Sequence, residues 1–273
     1  MTSFNLDKMN CELKAGLAHY TLGPASSAID LNALLGKRLI LKFQLEINCT
    51  HCGLKVKKAY SGGYCYKCSL KLAECDMCIL KPELCHFAAG TCREPSWGEA
   101  NCMIPHYVYL ANSSGLKVGI TRSTQIPTRW IDQGAVAGLP ILKVSTRYQS
   151  GLFEKLLASE LNDKTDWRKM LKGNIEEIDL IQKRDEVFEL FGESLDSLEN
   201  ELGAGQIEIL ENLKPTTIEY PVLVYPEKVS TLSLDKNESV GGILQGIKGQ
   251  YLIFDTGVIN IRSHTGYKVA IEI

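Results

Sequence analysis

Residues 106–122 read HYVYLANSSGLKVGITR, and the folding of this stretch decides the architecture around it. His106 to Ala111 and Leu116 to Thr121 are short runs rich in β-branched and aromatic residues, and Asn112-Ser113-Ser114-Gly115 between them has the composition of a turn. The stretch therefore predicts a hairpin. Tyr107 and Tyr109 lie on its first strand, Lys117 on its second, and Arg122 just beyond the second strand.

Downstream, STQIPTRWIDQGA (residues 123–135) predicts a short helix. Pro127 suits the first helical position, Ile126 is pushed toward an extended conformation, and Gly134 ends the run. Arg129 then falls in the first turn, where a guanidinium fork adds to an anion-friendly helix start and makes a phosphate seat. SGLFEKLLASELND (residues 150–163) predicts a second helix, packed on the sheet by Leu152, Phe153, Leu156, Leu157 and Leu161. At about 100° per residue, Glu154 falls on the rim of that apolar band and Glu160 nearer its middle. A carboxylate at the edge of a core is a candidate metal ligand, and either residue would serve.

Upstream, nine of the ten cysteines lie between Cys49 and Cys102, and six of them form CxxC pairs. Cys49/Cys52 and Cys65/Cys68 are separated by twelve residues, with Gly53 free to take the positive φ of a metal knuckle. Four thiolates in tetrahedral array select zinc over hard ions. A second set, Cys75 and Cys78 with Cys85 and Cys92, suggests another structural zinc, for which His86 and Cys102 are rival ligands. Without an apolar export leader, this pattern points to metal thiolates in a reducing compartment, the cytoplasm, rather than to disulfides. No run of about 18 apolar residues marks a membrane span.

Charge is divided unevenly. Residues 1–172 hold 22 lysines and arginines against 14 aspartates and glutamates, while the remainder holds 8 against 18. The first part suits a polyanionic partner and the second does not. Lys55, Lys57 and Lys58, interleaved with Tyr60, Tyr64 and Tyr66, form one candidate nucleic-acid patch.

With these motifs in place, the order of elements resembles the GIY-YIG nuclease superfamily. Tyr107-Val108-Tyr109 resembles the first signature tripeptide, with tyrosine for its leading glycine. Lys117-Val118-Gly119 resembles the second, with lysine for its tyrosine, as in the branch that reads Lys-Ile-Gly-Ile-Thr. The whole chain, with its cysteines, CREPSWGE and KVGITR in order, also resembles a bacterial family that joins zinc knuckles to such a segment. The superfamily resemblance implies phosphodiester hydrolysis in which Tyr109 helps activate water, Arg129 steadies the scissile phosphate and Glu154 holds Mg²⁺ or Mn²⁺. It further implies that Lys117 assists proton transfer or phosphate binding, and that Tyr107 and Arg122 contact nucleic acid.

The expected architecture is α+β. It comprises an N-terminal β segment (1–48), a zinc-ribbon module (49–104), a small GIY-YIG-like mixed α/β domain (105–172), an acidic helical linker (173–205) and a C-terminal β barrel or sandwich (206–273). The linker is read as one or two packing helices interrupted at Gly192 and loosened at Gly203-Ala204-Gly205. Leu39 to Ile47 alternates and reads as a strand feeding the first knuckle, able to pair with the C-terminal unit. Gly246 to Tyr251 is a candidate binding loop, with a plain β-turn as its alternative. The expected function is a zinc-stabilised, Mg²⁺-dependent nuclease on DNA or RNA. The alternative is a zinc-containing nucleic-acid-binding protein whose core has lost catalysis.

Overall fold

In the computed structural model, which describes residues 2–161, 164–203 and 205–273, the central hairpin pairs His106 with Arg122, Tyr109 with Gly119 and Asn112 with Leu116. It stands within a mixed α+β architecture of three antiparallel sheets. The N-terminal strands are β1 (Thr2–Asn5), β2 (Asn10–Lys14), β3 (Leu17–Leu22), β4 (Ile29–Asp30), β5 (Arg38–Asn48) and β6 (Lys55–Val56). Three short helices follow: α1 (Tyr66–Lys71), α2 (Met77–Leu80) and α3 (Pro95–Asn101). The middle of the chain forms β7 (His106–Asn112), β8 (Leu116–Arg122), α4 (Thr128–Asp132), β9 (Ala137–Val144), α5 (Arg147–Leu157), α6 (Trp167–Leu171) and α7 (Leu180–Leu202). The last strands are β10 (Ile207–Ile209), β11 (Thr216–Thr217), β12 (Ser239–Lys248), β13 (Tyr251–Phe254), β14 (Gly257–Asn260) and β15 (Tyr267–Glu272).

The two ends of the chain share one sheet, ordered β1-β15-β5-β12-β13-β14, with β6 beside β5. Its strands alternate because one face is buried: Leu39 and Leu41 of β5 are enclosed, while Arg38 and Lys42 face water. β2, β3 and β4 make a separate small sheet against the same core. The central sheet runs β10-β9-β7-β8, with β11 also on β9, so β7 is covered on both edges.

Side-chain alternation along β7 divides the interior into two cores. Val108 and Leu110, with Val118 and Ile120 of β8, face Phe153 and Leu157 of α5 and Val187 and Phe191 of α7. Tyr109 and Ala111 face the other way, onto Trp130 and Ile131 of α4 and the core of the terminal sheets. Asp132, which ends α4, fastens this contact. Its carboxylate accepts from Lys8 Nζ at 2.9 Å, from Gln250 Nε2 at 2.9 Å and from the Cys11 thiol at 3.3 Å. Gln250 also exchanges hydrogen bonds with the Met9 backbone, 2.7 Å at its oxygen and 3.0 Å at its nitrogen. Of the predicted Gly246–Tyr251 loop, Gly246–Lys248 end β12 and Tyr251 begins β13, leaving a turn at Gly249 and Gln250 whose glutamine side chain ties the terminal sheet to the Met9 backbone and to α4.

Several boundaries differ from expectation. β9 is a strand that Pro140 argues against, since proline cannot donate to a ladder. It is tolerated because the β7–β9 register shifts between Val108 and Tyr109, and because β10 and β11 pair with β9 on either side of it. α5 starts three residues earlier than the Ser/Gly signal suggests. The start is set by a capping box in which Thr146 accepts from the Gln149 N–H at 3.3 Å and the Gln149 side chain accepts from Thr146 N–H at 2.9 Å. It ends at Leu157, so Glu160 lies beyond it, exposed; residues 162 and 163 of the predicted run fall outside the described residues. α7 passes through Gly192 as one 23-residue helix, the glycine costing about 1 kcal/mol against the burial of Leu180, Val187, Phe191 and Leu195. Ala204, in the predicted loosening, is outside the described residues, and residues 219–227, within the expected C-terminal β unit, form only isolated bridges at Glu219 and Val222. Among the described residues no helix is long and apolar enough to cross a membrane.

Candidate functional site

β5 delivers the chain into the knuckle, and β6 returns along it, with Ile47 opposite Val56. Between them, Gly53 takes φ +70° and its N–H donates to the Cys49 carbonyl at 2.9 Å, the tight turn that presents both sulfurs of the first pair. Cys65 caps α1, its sulfur accepting from the Cys68 N–H at 3.4 Å. The four sulfurs of Cys49, Cys52, Cys65 and Cys68 lie within 4.8 Å of one another, close enough to hold a structural metal such as zinc. Cys52 and Cys65 are 3.8 Å apart, about the edge of a tetrahedron with ~2.3 Å metal–sulfur arms. Burial opposes ionisation of Cys49, but backbone N–H groups of Cys52, Cys65 and His51 outweigh it and bring the thiol down to about 6. Cys68 moves upward, chiefly through its contact with Cys65. Nearby, Tyr60 and Tyr66 remain exposed and meet edge to face, with Lys58 Nζ 5.6 Å from the Tyr60 ring.

The second group of cysteines assembles differently from the predicted set. Cys78, Cys85, Cys92 and Cys102 line one small cavity together with His86. Cys75 is not among its lining residues; its thiol contacts Ser61 and lies near Cys49. Asp76, Cys78 and His86, all lining the same cavity, form a compact trio.

A cleft of about 590 Å³ opens between the central sheet, the cysteine-rich segment and the terminal sheet. Lys8, Arg122, Arg129, Arg147 and Arg262 line it, with Glu154 of α5, Asp132 of α4 and Glu74. Arg122, at the end of β8, is held by the side-chain oxygen of Asn101, and Arg147, at the start of α5, donates to the Ile79 carbonyl at 2.7 Å. These neutral acceptors fix each guanidinium without cancelling its charge. Burial lowers the pKa of Arg147, and the charges of Arg129 and Arg122 act in the same direction while Cys102 and Glu154 oppose them.

Of the sequence candidates, Arg122, Arg129 and Glu154 meet in this cleft; Glu160 does not reach it. Tyr109 lies directly behind, 0% exposed, its hydroxyl donating to Gln133 at 2.9 Å and lying in reach of Arg129. Burial raises its pKa, with Arg129 pulling the other way. Gly119 is required opposite it, since a Cβ there would stand 2.6 Å from the Tyr109 hydroxyl. Lys117 is on the same sheet face, buried at 4% exposure and outside the cleft lining; Tyr107 pairs with Thr121 and Lys143, also outside it. Sequence reasoning missed Lys8, Arg147 and Arg262. Only Arg147 had a local signal, the Thr146/Gln149 capping box that puts it at the first helical position.

A family model described as "Protein of unknown function (DUF2797)" matches residues 36–269. No curated protein and no solved structure matches.

Proposed function

We propose that the chain, which belongs to the DUF2797 family, is a zinc-stabilised phosphodiesterase that binds DNA or RNA in the arginine cleft and cleaves it there. One observation carries this reading: Glu154 and four arginines line the same cleft, in which Asp132 is already paired with Lys8 and Glu74 is the third carboxylate. A row of fixed cations suits a polyanionic backbone, and arginine forks suit phosphate oxygens. Arg129 is suited to charge developing on the scissile phosphate, and Arg122, Arg147 and Arg262 to flanking phosphates. Glu154 offers the hard oxygen that Mg²⁺ or Mn²⁺ takes, and such an ion would neutralise phosphoryl charge. The hairpin motifs and the arrangement of β7, β8, α4, β9 and α5 fit the GIY-YIG resemblance.

A second reading, a nucleic-acid-binding protein without catalysis, has its own support. Tyr109 and Lys117, the two candidates for proton transfer, are both buried, and Tyr109 holds its proton more tightly than an ordinary tyrosine. On this reading Tyr109 positions Arg129 and does no chemistry.

The test is a labelled panel of single-stranded, duplex and branched DNA and RNA, incubated with Mg²⁺ or Mn²⁺ and with wild type, Glu154→Ala or Arg129→Ala. The nuclease reading expects metal-dependent cutting that falls by about 100-fold or more in both variants, with zinc content unchanged. Binding without cutting by wild type, weakened by Arg129→Ala and by salt, selects the second reading. Absence of both binding and cutting sinks the two together.

A further inference from the structure

Four cysteines outside the knuckle surround one cavity although no pair of them is a CxxC. Six, six and nine residues separate Cys78, Cys85, Cys92 and Cys102 in turn, so tertiary structure gathers them. α3 joins two: the Cys102 N–H closes the helix on the Gly98 carbonyl at 2.7 Å, while Gly98 admits Cys92, whose sulfur would be 3.3 Å from a Cβ there. Arg147 joins the outer two. Its guanidinium holds the carbonyl of Ile79, next to Cys78, and its backbone N–H donates to the Cys102 carbonyl at 2.8 Å.

We propose that Cys78, Cys85, Cys92 and Cys102 are the ligands of a second structural zinc ion, which locks α2 and the start of α5 into one wall of the arginine cleft. Four thiolates around a divalent ion carry a net charge of −2, and the Arg147 guanidinium lies beside Cys102 to offset it. The Arg147 Nε is buried with no hydrogen-bond partner, a donor suited to a metal-bound sulfur.

The rival ligand set is Asp76, Cys78 and His86, whose ligand atoms lie within 4.8 Å of one another; the four cysteine sulfurs are not so closely grouped, and holding the ion requires their side chains to rotate inward. Asp76 already accepts from the Cys78 N–H at 3.3 Å and pairs with Arg93 Nε at 2.5 Å, and His86 Nδ1 meets the Thr91 hydroxyl at 2.8 Å. Zinc prefers four thiolates to one. Asp76 and His86 accordingly brace the loop around the ion.

Elemental analysis of the purified full chain tests this whether or not the cleft cuts nucleic acid. Two zinc ions per chain are expected in wild type and in Cys75→Ser, and one in Cys102→Ser. One ion in wild type, two retained by Cys102→Ser, or loss of one from Cys75→Ser would overturn the assignment. Cobalt replacement in wild type needs no variant to fold: thiolate-to-cobalt absorption should be the same per ion for both equivalents, whereas a second equivalent with about a quarter of it points to the Asp76, Cys78 and His86 set.

Discussion

All four sulfurs of the knuckle come from twenty consecutive residues, Cys49 to Cys68, whereas the cations of the cleft come from Lys8, Arg122, Arg129, Arg147 and Arg262, spread over most of the chain. The knuckle needs one tight turn, one helix cap and a strand to hang from. The cleft needs β8, α4, α5, the cysteine-rich segment and the terminal sheet all in place. A site built locally carries its own scaffold, while a site built at a junction borrows the whole fold. Damage should therefore stay confined in the first and spread through the second.

The largest effect expected is at the knuckle. Cys65→Ala removes a ligand and a helix cap together, and metal binding at such sites supplies about 10 kcal/mol or more of local folding energy. The variant should lose one zinc and gain protease cuts between residues 49 and 68, while amide exchange in β7 and β9 stays near wild type. Loss of protection throughout the central sheet would erase the local-versus-assembled distinction.

Gly119→Ala should do the reverse. A Cβ 2.6 Å from the Tyr109 hydroxyl forces the ring, and the Arg129 it touches, to shift. We expect about 1–3 kcal/mol of destabilisation in urea melts, a weaker affinity for nucleic acid, and an unchanged zinc content. An affinity equal to wild type would detach Tyr109 from the cleft.

His106 gives the comparison a pH dependence. Its Nδ1–H donates to the Ile104 carbonyl at 2.7 Å and its Nε2 is buried without a hydrogen-bond partner. Burial, assisted by the charges of Arg147 and Arg122, lowers its pKa from 6.5 to about 4. Because the unfolded chain takes up this proton first, the stability tied to neutral His106 is complete above about pH 6.5 and is lost as pH falls toward 4. Between pH 7 and pH 5, wild type should lose about 2 kcal/mol more than His106→Phe; parallel curves for the two proteins would refute the assignment.

The smallest effect is expected from Arg262→Ala. At the rim of the cleft it should leave stability within about 0.5 kcal/mol of wild type and lower the slope of log affinity against log salt by about 1. An unchanged slope would put nucleic acid outside this cleft and turn attention to Lys58, Tyr60 and Tyr66.

The same contrast explains what could be read in advance. The hairpin, β5, the Pro127–Gly134 helix and the knuckle were legible because each is specified by neighbours: turn residues, alternation, a proline and a glycine, CxxC spacing. β9 was hidden by Pro140, whose missing N–H matters only if the ladder is regular there, and it is not. The start of α5 was misjudged because Ser150 and Gly151 look like a beginning, while the Thr146/Gln149 box sets it earlier. Arg262 and Lys8 carried no signal at all, since their role depends on how the two ends of the chain meet. The substitution of Cys102 for Cys75 around the second cavity has the same origin.

The pairing of Thr2 with Ile271 also has a consequence in time. At about 5–20 residues per second, roughly 15–50 s of synthesis separate these two partners, while the knuckle can be completed within a few seconds of its first cysteine. β5 must therefore wait, already tethered to a finished knuckle and paired only at Ile47 and Asn48 with β6, with residues 38–46 unpaired on both edges until β12 and β15 emerge. Lys42 and Glu46, set among the apolar residues of that strand, are the kind of charge that keeps a waiting edge from recruiting a neighbouring nascent chain.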